Sequence, residues 1–299
     1  MARLLRIWLL ALRPVSLTAS VVPVLVGTAV VADEAFRPGL FALALFGSLA
    51  FQAGTNLVND YFDHVQGVDT VESLGPSGVI QRGLLSPRAV LAGGLASFAL
   101  GAALGLAITV VVGWPVLVLG VASIVAGYTY TAPPLKLAYR GLGEATVFLF
   151  MGPVIVMGAA YVQVGAWTWE AFLASLPVGL LVAAILHANN LRDIDDDRAH
   201  GKRTLASLVG RPAADYEHVA LVAGAYVAVA ALVALSGAPR AGLIAFLSLP
   251  AALGLLRTLS RSRSARSLNR VLAGTAGVHL LFGLLWALGL ALGEWSSEP

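Results

Sequence analysis

Nine stretches of this chain each run for about 20 residues with hardly a charge among them, and that pattern constrains the fold more than anything else in the sequence. A run of that length is what a helix needs to cross a bilayer. Inside the hydrocarbon every backbone N–H and C=O must find its partner within the protein, which a helix does residue by residue. The chain is therefore expected to be all-α, a multi-span transmembrane helical bundle forming one domain over residues 1–299. The spans are expected at about 15–32, 39–59, 89–111, 115–132, 142–164, 169–190, 216–236, 240–257 and 270–292. Only 12% of the residues are charged, against about 25% in soluble domains, and mean hydropathy is +0.84. Cysteine is absent, which excludes disulfides and thiolate chemistry.

Charge orients the bundle. Short turns at 33–38, 112–114, 165–168 and 237–239 alternate with longer connections at 60–88, 133–141, 191–215 and 258–269. All of the 19 basic residues except Arg37 and Arg240 fall in the N-terminus, the longer connections or their flanks. Excess Lys and Arg marks the cytoplasmic side. The N-terminus is thus expected inside and the C-terminus outside a multi-pass cytoplasmic (inner) membrane protein, which requires an odd number of spans. The first span follows Arg3, Arg6 and Arg13 without a small-residue cleavage site and reads as retained.

Seven of the sixteen acidic residues gather in two runs. One is Asn59-Asp60-Tyr61-Phe62-Asp63 with Asp69, just past span two; the other is Asp193-Ile194-Asp195-Asp196-Asp197, just past span six. Both fall on the cytoplasmic side. The four-span offset suggests two four-helix units plus a ninth helix. Carboxylates at the ends of apolar helices are costly unless compensated, and so mark a functional site. Helical spacing puts Asn59 and Asp63 on one face, and Asp193 with Asp197 on another. Oxygen donors converging from two sides suit Mg2+, which bridges carboxylates to substrate phosphates. His64, His187 and His200 have no convincing spacing for zinc or copper. Beside the acids lie bases suited to an anion: Arg13, Arg82, Lys136, Arg140, Lys202 and Arg203. Acid for metal beside base for phosphate is what a diphosphate requires. No Walker-type loop is present, so a lipid diphosphate fits better than a nucleotide, and nothing points to nucleic acid. Two other readings of the same residues stay open: ordinary solvated loops, and the ion path of a coupled transporter.

These residues resemble the UbiA superfamily of intramembrane prenyltransferases, which carries an Asn-x-x-x-Asp-x-x-x-Asp motif after its second helix and Asp-x-x-x-Asp after its sixth. Asn59 and Asp63 match the first motif, whose third position here is Gly67, with Asp69 two residues on. Asp193 and Asp197 match the second. The run Gly67-Val68-Asp69-Thr70, the run Asn189-Asn190-Leu191-Arg192-Asp193 and the run Gly141-Leu142-Gly143-Glu144 resemble the 1,4-dihydroxy-2-naphthoate polyprenyltransferase branch of menaquinone synthesis. The resemblance implies Mg2+-dependent transfer of a polyprenyl group from its diphosphate to that aromatic acid, with decarboxylation, to give demethylmenaquinol. It also leaves other acceptors open: 4-hydroxybenzoate, homogentisate, a chlorophyllide or a non-aromatic alcohol. It implies metal binding by Asn59, Asp63, Asp193 and Asp197, secondary roles for Asp60, Asp69 and Asp196, and diphosphate binding by the six bases. Tyr61, Phe62, Tyr128, Tyr130, Tyr139 and Phe148 are candidates to shelter an allylic cation.

Overall fold

The computed structural model describes residues 2–69, 77–262 and 264–295. Thr70 of the Gly67–Thr70 run lies outside the described residues. The described chain is helical nearly throughout: α1 (Ala2–Ala11), α2 (Thr18–Val30), α3 (Pro38–Val65), α4 (Pro87–Val112), α5 (Pro115–Thr129), α6 (Gly143–Val164), α7 (Trp169–Arg192), α8 (Ile194–Ala199), α9 (Leu205–Val209), α10 (Arg211–Leu235), α11 (Arg240–Arg261) and α12 (Ala265–Ala291). Helix starts follow local chemistry. Pro38, Pro87 and Pro115 open α3, α4 and α5, where the missing N–H costs nothing. The side chains of Ser86, Thr168 and Ser264 cap α4, α7 and α12.

The expected count of nine spans is corrected. Among the described residues seven helices are long and apolar enough to cross a membrane, or up to eight when the bent pair of α1 with the segment Pro14–Val30, at 55°, is counted as one span. The break sits at Pro14, preceded by Arg13 in the left-handed region at φ 53. The first helical segment thus begins at residue 2 rather than near Val15. The stretch expected at 115–132 forms α5, an apolar helix whose 15 residues rise about 22 Å, less than the seven long helices.

Within the bundle α3 lies along α4, α10 along α7, and α12 against α2, α7 and the first half of α11. The largest core cluster contains Leu181, Tyr226, Phe282 and Trp286, the last donating its indole N–H to the Ala174 carbonyl at 3.1 Å. Apolar side chains also face outward, as lipid-facing helices require: Val110 is 87% and Leu235 73% exposed. Small residues let helices approach. A Cβ at Gly289 would stand 2.6 Å from the Ala241 carbonyl oxygen and from Gly242 Cα. Pro153 cannot donate, and there α6 widens into a π turn over Phe150–Val154.

What matters for function is where helices end. Helix α3 runs past its expected limit to Val65, so Asn59, Asp60 and Asp63 ride on its last turns. Helix α7 ends at Arg192, and Asp193 joins it to α8.

Candidate active site

Both aspartate runs open on one cavity of ≈ 770 Å³. Its polar end is lined by Asn59, Asp63 and Asp69 from the first run and by Asp193, Asp196 and Asp197 from the second, with Arg13, Arg82, Arg192 and Lys202 among them. From there it continues between α3, α4, α5 and α6, past Phe51, Gly101, Gly120 and Ile108. Asp63 and Leu43 both line it and both lie on α3, so the cavity follows that helix for about 30 Å. It is charged at one end and apolar along most of its length.

Each acidic group has a defined partner. Tyr139 donates its hydroxyl to Asp63 Oδ1 at 2.6 Å, and Thr131 donates to Asn59 Oδ1 at 2.9 Å. Thr204 donates to Asp197 Oδ2 at 3.0 Å. Arg192 grips Asp193 with two bonds of 2.6 Å and also reaches Asn189 and Asn269. Asp193 and Asp197 do not lie on one unbroken helix as expected. The chain turns at Asp193, yet the Asp197 N–H still donates to the Asp193 carbonyl at 2.8 Å, so the four-residue spacing holds through the turn. The Lys202 ammonium stands 3.9 Å from Asp63 and 3.7 Å from Asp197, joining the two runs.

The electrostatics are those of crowded acids. Burial, then the neighbouring Asp193, push the Asp197 carboxyl up to about 6 against the opposing pull of Lys202. Burial and Asp63 raise Asp69. Burial alone would weaken the charge on Lys202, but Asp63, Asp197, Asp193 and Asp69 outweigh it and raise its pKa. A place where carboxylates are hard to ionise and an ammonium is hard to neutralise is a place that favours added positive charge. The donor set is oxygen throughout, as a hard divalent cation prefers. Among the described residues the aspartates of the two runs do not close into a three-ligand shell around one point.

Residues 20–282 match the UbiA prenyltransferase family. The chain belongs to that family. It is 35% identical to the 1,4-dihydroxy-2-naphthoate octaprenyltransferase of Bacillus subtilis over 94% of this chain and 90% of that one. It is 33% identical to the enzyme of the same name from Escherichia coli, over 97% and 96%. In three dimensions it is similar to a UbiA homologue from Archaeoglobus fulgidus bound to GPP and Mg2+, with TM-score 0.69 and 18% identity over 96% of this chain and 99% of that one. A UbiA homologue from Aeropyrum pernix gives TM-score 0.69 at 19% identity, over 90% and 96%. The chain is thus a multi-pass membrane prenyltransferase, and the transporter reading falls away.

As a UbiA member the chain still sorts its polar residues in ways their order did not announce. Asp60 does not line the cavity; its two oxygens accept from the Arg13 guanidinium and the Ser77 hydroxyl. It positions a base rather than facing an ion, and the reason is helical: a residue adjacent to Asn59 points about 100° away from it. Lys136, Arg140 and Arg203 are likewise not among the lining residues. Lys136 lies over the Tyr139 ring at 5.7 Å. Arg140 donates to the Pro134 carbonyl, and its backbone pairs with that of Arg203. Arg192, a base flanking the second run but not assigned to the diphosphate, takes a place there, as do Thr131, Asn189 and Asn269, which were not singled out as site residues. Of the proposed aromatic faces only Tyr130 lines the cavity, joined by Phe51 and Phe150.

Proposed function

We propose that this prenyltransferase moves a polyprenyl group from polyprenyl diphosphate to 1,4-dihydroxy-2-naphthoate, releasing CO2 and diphosphate and forming demethylmenaquinol. One observation carries the transfer chemistry: a single cavity has acids and bases at one end and about 30 Å of apolar wall beyond. The names of the relatives in Bacillus subtilis and Escherichia coli support the acceptor.

In this reading Asn59, Asp63, Asp193 and Asp197 hold Mg2+, whose charge would offset that of the leaving diphosphate. Arg13, Arg82, Arg192 and Lys202 face the same end and add positive charge where the C–O bond breaks and its electron pair departs with diphosphate. Preorganised charge of this kind is usually the largest catalytic term. Tyr139 and Thr131 fix the carboxylate of Asp63 and the amide of Asn59, so neither must reorganise as charge develops. The apolar walls keep water from the allylic cation, with the rings of Tyr130, Phe51 and Phe150 along the same cavity. The carboxylate-bearing ring carbon of the acceptor attacks; the bond to CO2 then breaks and its electrons restore aromaticity. The charge bias of the loops favours this polar end at the cytoplasmic face of the inner membrane, with the N-terminus on the same side.

The test is product analysis. Purified protein, Mg2+ and a prenyl diphosphate are incubated with 1,4-dihydroxy-2-naphthoate, 4-hydroxybenzoate and homogentisate in parallel, and products are weighed by mass spectrometry. A prenylated, decarboxylated naphthalenediol as the preferred product is expected. Preference for another acceptor overturns the naphthoate assignment.

A further inference from the structure

A second polar cluster lies outside the cavity. Glu144 in the first turn of α6, His187 in α7 and Glu217 in α10 bring one ligand atom each to within 4.8 Å of one another. His187 Nδ1 is 3.2 Å from Glu144 Oε1 and 3.6 Å from Glu217 Oε1. None of the three lines the substrate cavity.

The hydrogen bonds around this group decide its chemistry. His187 Nε2 stands 2.8 Å from the Ala214 carbonyl, which can only accept, so that nitrogen carries a proton. In the neutral ring the lone pair is then on Nδ1, directed at two carboxylates. Asn190 donates to Glu144 Oε1 at 2.9 Å and orients that group. An imidazole whose far nitrogen is tied to a backbone carbonyl, beside a carboxylate held by an amide, is the outer-shell arrangement of metal ligands. Glu144 is 7% exposed and its second oxygen, Oε2, has no hydrogen-bond partner.

Charge and distance agree. Among the described residues His187 supplies the one basic nitrogen within salt-bridge distance of either glutamate. An imidazolium would balance one of two carboxylates in a helical bundle; a divalent ion balances both and removes the proton from Nδ1. Donors bound at roughly 2.1 Å in a tetrahedron stand roughly 3.4 Å from each other, and 3.2 and 3.6 Å bracket that separation. One nitrogen with two carboxylates favours a borderline ion over Mg2+. Glu217, 24% exposed along its side chain, gives a route in.

We propose that Glu144, His187 and Glu217 bind one divalent transition ion of the zinc type, distinct from any ion at the aspartates. It would tie α6, which directly follows the Tyr139 segment, to α7 and α10.

The experiment reads metal, not turnover, so its failure leaves the prenyl-transfer reading untouched. Protein stripped with chelator is equilibrated with Zn2+ in excess Mg2+, desalted and assayed by elemental analysis. D63N/D193N, lacking two aspartate charges, should retain one zinc per chain, and adding E144Q and E217Q should abolish it. Because that fourfold variant could fail to fold, Mn2+ is also loaded into D63N/D193N, whose aspartate site is weakened, and examined by electron spin echo. Nitrogen modulation from a coordinated imidazole is expected there. Absence of retained zinc, zinc that survives E144Q/E217Q, or bound Mn2+ without imidazole coupling would overturn the site.

Discussion

Replacing Asp63 by Asn removes one charge from the polar end and almost nothing else. The side chain is buried, and its Oδ1 can still accept from the Tyr139 hydroxyl, now 2.6 Å away. What is lost is a carboxylate charge facing cations: Lys202 at 3.9 Å in the structure, and Mg2+ in the proposed working state. A unit charge pair at that distance is worth about 4 kcal/mol at the effective dielectric of a protein site. Spent on the transition state, this corresponds to about three powers of ten in kcat/KM. Folding should be spared, because Asp63 also repels Asp69 and Asp197, and its neutralisation relieves that strain. We therefore expect Asp63→Asn to insert, purify and unfold within about 1 kcal/mol of the parent while turnover collapses.

Tyr139 refines this test. Its hydroxyl acts through Asp63, so Tyr139→Phe should cost about 10- to 100-fold, as loss of a ligand-orienting bond does. Added to Asp63→Asn it should cost little more. The assay is transfer of radiolabelled prenyl diphosphate over a range of Mg2+ in all four proteins of the cycle. If Asp63→Asn keeps activity within tenfold, or if the two losses simply multiply, Asp63 does not hold the catalytic ion with Tyr139 behind it.

Other outcomes follow from the same geometry. Chelation should abolish transfer and Mg2+ should restore it; activity persisting in excess chelator would contradict the aspartate assignment. With the Asp197 carboxyl pushed up to about 6, protonation competes with metal as pH falls. The Mg2+ needed for half-maximal rate should then rise about tenfold per unit below that value, measured with the folded state checked at each pH. The same shift has the opposite sign for the metal-free fold: the native state binds this proton more tightly than the ordinary value of 3.8, so lowering pH from about 6 to about 4 stabilises it. Gly120 lines the cavity with open space where a Cβ would be. Gly120→Phe should block long prenyl donors while leaving geranyl diphosphate usable, seen as a change in their kcat/KM ratio. Gly289→Ala drives a Cβ to 2.6 Å from the backbone of α11 and should cost about 1–3 kcal/mol in detergent unfolding with no selective change in KM.

How much of this could be read from residue order depends on the range of the interaction concerned. Bundle class is a local property, since each apolar run must satisfy its own backbone, and it survives in the structure. Helix α5 ends at Thr129, short of the expected limit at residue 132. The acidic runs were legible for the same local reason: Asn59 and Asp63 share a helix face, and both runs sit at helix ends. Even the setting aside of Asp60 was implicit, since adjacent helical residues diverge by about 100°, although its actual partner, Arg13, is 47 residues away. Bases were the weakest reading. Any basic loop residue can serve topology, and only packing distinguishes Arg192 and Lys202, which face the acids, from Arg140, which bonds a backbone carbonyl. The cluster of Glu144, His187 and Glu217 lay beyond any spacing rule, because 43 residues separate Glu144 from His187 and three different helices bring the ligands together. A lone histidine in an apolar span looks like packing until the fold supplies two carboxylates. Charges that share a helix face can be paired by counting residues; charges that meet only through tertiary packing need coordinates, and in this protein the second kind includes both Arg13 with Asp60 and the cluster offered here as a second metal site.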